Sequence, residues 1–382
     1  MIPELSADDL AVREAVRTYA RNELAPKAAA FDESGDFVGA HLPGLSAVGI
    51  MGLNLPEDWG GAGITALGLV GAVEEIAAAC AATASMVTAH FLASDAILLA
   101  GDEPQKTRYL PGAAAGRLLG AFALSEPAAG SNPADMTTRA IPTPAGFRLA
   151  GVKHFISNAG HADLIVTFAR AGTSDKEGRP AIDAFVLDKA TPGLRFAAAE
   201  PVMGMRGSHV FEIAIDCEVP ASQRLGEPGS GFRTAMRVLD RGRIEVAALG
   251  LGICQAAMSA TLDWIKERRV DGRPLAARQG IQWMVADMAT EIEAARLLTY
   301  RAAALRQGGG DFARAAAMAK LVASETAGRV VDRALQLHGG YGYSRRLPLE
   351  RLARDARILR IYEGASEIQR NIIARHVLGE SA

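Results

Sequence analysis

Phe122-Ala123-Leu124-Ser125-Glu126-Pro127-Ala128-Ala129-Gly130-Ser131 is the stretch on which the fold turns, because the chain changes character across it. Ahead of it, from Ala7 to about Gly120, apolar residues fall three or four apart, as at Leu69, Val73, Ile76 and Cys80, which predicts helices. Glycines between Gly35 and Gly63 interrupt them. Behind it come short β-type runs: Phe147, Leu149 and Val152, then Leu164-Ile165-Val166, then Ala184-Phe185-Val186-Leu187, separated by Gly, Pro, Asp and Ser clusters. Phe211, Ile213 and Ile215 alternate with Glu212, Ala214 and Asp216, the period of a strand with one wet face. The ten residues also carry chemistry. Backbone groups around Leu124 and Ser125 suit the carbonyl and imide edge of a flat heterocycle, Gly130 admits close approach and Ser131 offers a hydroxyl. The same letters also spell a Pro-Gly turn leading into a strand.

Beyond the turn-rich Glu227-Pro228-Gly229-Ser230-Gly231 the helical period returns and lasts to the end. Four long helices are expected, roughly 232 to 269, 276 to 307, 311 to 337 and 347 to 378, with Ile281, Met284, Val285, Met288, Ile292 and Ala295 as one apolar stripe. Gly242, Gly250 and Gly252 cost helix stability, so close packing against neighbours is expected to compensate. The chain reads as an α+β multidomain protein. Its parts are an N-terminal helical domain (1–120), a middle β domain (121–228) and a C-terminal helical domain (229–382).

A chain of 382 residues can bury a cofactor, and a formal net charge of −2 creates no global field to recruit nucleic acid or an anionic membrane. Cys80, Cys217 and Cys254 lie far apart without metal-ligand spacing, which fits a reducing compartment. Asp8 and Asp9 ahead of Arg13 and Arg17 match neither a secretory signal nor an acid-poor transit peptide, so a cytoplasmic location is expected. Ile76 to Ala100 is the most apolar window, but Thr83, Ser85, Thr88, His90, Ser94 and Asp95 interrupt it, and it reads as a buried helix pair rather than a membrane span.

Two further segments carry chemistry. Lys153-His154-Phe155-Ile156-Ser157-Asn158 presents an aromatic face and a hydroxyl together at a strand end; core packing of Phe155 is the alternative. His154 and His161 have no third ligand at a recognisable spacing, so no metal is expected. Tyr362-Glu363-Gly364-Ala365-Ser366-Glu367-Ile368-Gln369-Arg370 offers one carboxylate between an aromatic ring and a glycine, which makes Glu363 a candidate base or a solvated loop charge.

Taken together with Gly204-Met205-Arg206-Gly207-Ser208 and Leu55-Pro56-Glu57-Asp58-Trp59-Gly60-Gly61, these runs resemble the acyl-CoA dehydrogenase family in order and spacing, over nearly the whole chain. The resemblance implies a middle β-barrel-like domain, a C-terminal four-helix bundle and FAD. It implies that Phe122, Leu124, Ser125, Gly130, Ser131, Phe155, Ile156 and Ser157 wrap the isoalloxazine, with phenylalanine at 155 and serine at 157 where the family usually has tryptophan and threonine. Arg268 and Gln279 are implied as contacts to the pyrophosphate and adenosine of a neighbouring subunit's FAD, together with Gln336, Gly339 and Gly340. That sharing implies an oligomer, commonly a homotetramer in this family. Asp271 stands where the family usually has phenylalanine, and a carboxylate there would repel a pyrophosphate.

Within the family, Glu363 is implied as the base that takes the α-proton of an acyl-CoA thioester, with FAD accepting the β-hydride and passing electrons to an electron-transfer flavoprotein. The Glu363 backbone N–H and a flavin ribityl hydroxyl are implied to hold the thioester carbonyl. Some members carry the base at the position of Gly242, which has no side chain to act. Ser131, Asp240, Arg243, Tyr362 and Gly364 are implied on the substrate side, and Ala365 and Glu367 beside the cofactor; a surface ion pair is the alternative for Asp240 and Arg243. Ala365, where many relatives have threonine, hints at short or branched acyl chains. An acyl-CoA oxidase or lyase on the same scaffold, or a non-catalytic acyl-CoA-binding protein, are the competing functions.

Overall fold

The computed structural model describes residues 4–174 and 180–379. The first part holds helices α1 (Ala7–Tyr19), α2 (Ala28–Ser34), α3 (Leu42–Ala47), α4 (Ala66–Ala79), α5 (Ala81–Ala100) and α6 (Glu103–Ala114). Ser6 and Asp9 cap α1 reciprocally, and Asp9 also accepts from Thr65 N and Oγ1, at 3.0 and 2.8 Å, so one carboxylate pins the start of α4 to the start of α1. The expected pair in 76–100 is the last turn of α4 and the whole of α5, parted at Cys80, where the backbone extends (φ −153°). By length and hydropathy α5 could cross a membrane, yet 89% of its apolar window is buried inside the protein. It is instead the spine around which the site is built.

The sheet contains β1 (Gly120–Ala123), β2 (Arg139–Thr143), β3 (Gly146–Ser157), β4 (Leu164–Ser174), β5 (Pro180–Asp188), β6 (Leu194–Phe196), β7 (Val210–Pro220) and β8 (Arg224–Leu225). Its order is β6-β7-β3-β2-β4-β5-β8, with β1 laid parallel on β4. Alternation decides which core each side chain joins. On β4, Leu164, Val166 and Phe168 pack with Leu92, Ile97 and Val238, whereas Ile165 and Ala169 join Leu149, Phe185, Phe211, Ile213 and Ile215. That second cluster takes residues from both halves of the sheet, which wrap it as a barrel does.

The remaining elements are α7 (Gly231–Glu267), a hairpin of β9 (Arg269–Val270) and β10 (Arg273–Pro274), and then α8 (Gln279–Gln307), α9 (Ala313–His338), α10 (Leu349–Ile358) and α11 (Ser366–Leu378). Each α7 glycine is a point of close approach. A Cβ at Gly250 would come within 3.3 Å of Ala323 O on α9, one at Gly252 within 2.6 Å of Ala77 Cβ on α4, and one at Gly242 within 2.7 Å of Leu92 Cδ2 on α5. The fourth expected helix, 347 to 378, is two helices: the chain leaves the helical path after Ile358 and resumes it at Ser366. Glu363 (φ +50°) and Gly364 (φ +91°) are left-handed there, and a helix cannot pass through such residues.

Candidate active site

The loop between α10 and α11 is closed on itself and bolted to α9. Ser366 N donates to Arg360 O at 3.1 Å, and Ser366 Oγ donates to Glu325 Oε1 at 2.8 Å. Lys320, fully buried, donates to Gly364 O at 2.6 Å, and Gln369 Nε2 to the same oxygen at 2.8 Å. A non-glycine residue in the left-handed region costs of order 1–3 kcal/mol and persists only where its surroundings enforce it; these bonds hold Glu363 there.

The Glu363 side chain is aimed at Gly242. A Cβ on residue 242 would overlap Glu363 Oε2 and press on Leu92 Cδ2, so the missing side chain is the space the carboxylate uses. Glu363 Oε2 is shut from solvent and accepts no hydrogen bond, and among the described residues the Glu363 N–H donates none. Burial pushes the Glu363 carboxyl up to about 7, against the pull of Lys320 and Arg243. Arg243 is itself buried and bonded to Asp240, whose own carboxyl is raised by burial despite that partner. The pair is thus an interior feature beside Glu363, not a surface one. Tyr362 is half-buried, with its hydroxyl shielded and unpartnered.

The two flavin-type runs are tied together. His154 N donates to Ser125 O at 2.9 Å, and the fully buried Lys153 reaches across to Leu124 O at 3.2 Å and Glu126 Oε1 at 2.9 Å. Glu126 also accepts from Thr137 N, Thr137 Oγ1 and Thr138 N. Burial alone would raise its carboxyl; Lys153 and the threonine donors outweigh burial and hold it at about 2. Phe155 sits at a β-bulge with φ +56° and is 63% exposed, its ring stacked on His154 at 4.1 Å, so core packing does not hold it. The Ile156 side chain goes to the sheet core and its residue pairs with Phe211 on β7; Phe122 packs edge-on to Phe168, Ser157 is half-buried, and Gly130 and Ser131 are exposed. His154 meets Glu200 and His161 meets His209, and among the described residues no three metal-ligating side chains converge. Asn158, buried at φ +67°, donates to Met86 O and Gly120 O at 2.9 and 3.2 Å, which anchors this strand end to α5 six residues before Leu92.

A second concavity, of about 730 Å³, lies on the helical bundle and is lined by Trp264, Arg268, Gln336, Gly339, Gly340 and Tyr341 among others. Arg268 lies over the Trp264 and Tyr341 rings, 6.0 and 5.7 Å from their centres. Gln279 is exposed on the first turn of α8 and does not line it. Asp271, with Gly272, makes the positive-φ tip of the β9–β10 hairpin and pairs with Arg278 at 2.9 Å, so its charge is answered locally. Ala365 is the N-cap of α11 and Glu367 is exposed on its first turn.

Sequence reasoning missed Lys320, Asn158 and the Glu126–Lys153 pair. Lys320 had a signal: Ala316, Ala323 and Ala327, its neighbours at helical spacing, are all apolar.

Comparison with known proteins agrees with this geometry. Family models for the acyl-CoA dehydrogenase N-terminal, middle and C-terminal domains match residues 6–117, 121–217 and 229–378. An acyl-CoA dehydrogenase of Bacillus subtilis is 41% identical over 98% of this chain and 99% of its own. The structure of butyryl-CoA dehydrogenase from Megasphaera elsdenii superposes with a TM-score of 0.96 at 38% identity, covering 99% of this chain and all of that one. A chain from a structure described as an electron transferring flavoprotein of Acidaminococcus fermentans superposes with a TM-score of 0.95 at 39% identity, covering 99% of this chain and all of its own. The chain belongs to the acyl-CoA dehydrogenase family and is an FAD-dependent oxidoreductase. Its own residues fit that cofactor: an exposed ring at Phe155, two cross-tied runs beside it, and an arginine lining a large concavity.

Proposed function

We propose that the protein desaturates a short-chain acyl-CoA thioester to its trans-2-enoyl-CoA, with Glu363 as the base. The observation that carries this reading is the single shielded, unpartnered oxygen of Glu363, held over the gap left by Gly242. Phe122, Leu124, Ser125, Ser131, Phe155, Ile156 and Ser157 hold the flavin ring, which when bound supplies the acceptor for the β-hydride. Glu363 Oε2 takes the α-proton, and a carboxyl raised to about 7 is a far better match to a carbon acid than an ordinary glutamate. The free Glu363 N–H holds the thioester oxygen as negative charge develops on it. Lys320 and Arg243 keep the carboxylate form accessible near neutral pH, and Gln369 and Lys320 fix the loop that carries both groups.

Arg268, Gln336, Gly339 and Gly340 hold the dinucleotide end of the FAD of a second subunit. This cavity lies on elements that carry none of the ring contacts, which fits a homotetramer or smaller oligomer sharing its cofactors. The likeness to the Acidaminococcus fermentans chain supports an electron-transfer flavoprotein as the acceptor, and three free buried cysteines fit the cytoplasm. Anaerobic mixing with butyryl-, isobutyryl- and hexanoyl-CoA tests the reading. Bleaching of the flavin band by the short thioesters is expected; a band left unchanged by all of them would overturn it.

A further inference from the structure

Resting on the reading of Glu363 as the base, we infer that Glu245 is a specificity residue of the acyl pocket, fitted to a thioester that carries a neutral oxygen, as hydroxyl or carbonyl, a few carbons beyond the reacting pair. Glu245 stands three residues after Gly242 on α7, on the same helical face, one turn past the gap that Glu363 fills. It is 1% exposed, and its Oε2 has no hydrogen-bond partner. Its other oxygen lies 3.5 Å from Arg306 Nη1, too far for a strong bond. A buried polar atom left unpaired is costly, and here it stands one helical turn from the gap that the Glu363 carboxylate uses.

The charges around it limit what it can accept. Burial first, then Asp95 and Glu363, raise its carboxyl to about 8, while Arg306 and Arg241 pull the other way. The upward shift favours the carboxylic acid form, which has a proton to donate. Arg241 is already answered by Asp95 at 3.0 Å, and Asn54 donates to the same Asp95 oxygen at 3.0 Å. A free carboxylate on the substrate would be repelled by Asp95 and Glu363 with only Arg306 to answer it, since Arg241 is held by Asp95. An ammonium group would be repelled by Arg241 and Arg306. A neutral oxygen accepts the Glu245 proton and meets neither penalty, whereas a hydrocarbon end leaves the acid unpaired.

The test is the second-order rate of anaerobic flavin reduction by 4-hydroxybutyryl-, 5-hydroxypentanoyl- and 6-hydroxyhexanoyl-CoA, each against its unsubstituted parent. At least one hydroxylated thioester is expected to outrun its parent by roughly tenfold. The ratio should fall to one or below in Glu245→Leu and survive in Glu245→Gln, which keeps a donor. A merely structural Glu245 would lower the stability of both variants and leave the ratio unchanged. If every parent matches or outruns its hydroxylated partner in the wild type, which needs no variant to fold, the inference is overturned while the dehydrogenase reading stands. If no thioester of either set reduces the flavin, it is the parent reading that fails.

Discussion

Glu126, buried, and Glu363, half-buried with one shielded oxygen, show how one side chain serves two ends. Both are close to lysines. Glu126 touches Lys153 and three threonine donors, and its carboxyl falls to about 2; Glu363 has Lys320 nearby but not bonded to it, keeps Oε2 unpartnered, and rises to about 7. In the first, every bond favours the charged form, which ties the loop after β1 and the segment before β2 to β3. In the second, the lysine is spent on Gly364 O, so it fixes the loop and leaves the carboxylate free to take a proton. The difference lies in where the lysine points.

Substitution separates the two roles. Glu363→Gln should lower flavin reduction by at least roughly a thousandfold while FAD stays bound, because the proposed base is lost and the loop bonds remain. Glu126→Gln should instead destabilise the fold by about 3 to 5 kcal/mol, since it leaves the Lys153 charge buried without its partner; urea unfolding followed by fluorescence measures it. The sign with pH follows. Glu126 is held below its unfolded value, so its stabilisation is complete above about pH 4.5 and drains away as pH falls toward 2. Gly242→Ala puts a methyl group where Glu363 Oε2 sits and should cost roughly ten- to a hundredfold in reduction rate, with a smaller loss of stability. Lys320→Met removes both the positive charge and the bond to Gly364 O, although Gln369 keeps its own bond to that oxygen; the Glu363 inflection should move to higher pH and the rate at pH 7 should fall at least roughly threefold.

The fold was largely legible in the sequence because its signals are local. The period-two run at Phe211 to Asp216 is a half-wet strand, and Gly242, Gly250 and Gly252 of α7 do sit at close contacts. The break between α10 and α11 was not legible. Arg357 to Ile368 contains no proline, and its one glycine, Gly364, follows the left-handed Glu363, a conformation imposed by Lys320, Glu325 and Gln369 from elsewhere in the fold. The candidate base stood out through its motif, but its activation did not. Asp240 and Arg243 read equally well as a surface pair, and only packing shows that Arg243 is buried beside Glu363. Lys153 and Glu126 lie 27 residues apart in two runs, and nothing in either announces the other.

On the proposed mechanism, Glu363 is the group that titrates near neutrality and takes the proton. Its most direct test is the limiting second-order rate of anaerobic flavin reduction by butyryl-CoA between pH 5.5 and 8.5, in the wild type and in Glu363→Gln. The wild-type rate should rise with pH through an inflection near 7, as the carboxylate fraction grows, and the variant should show a residual rate with no such inflection. A variant that keeps the wild-type inflection and a comparable rate would contradict it.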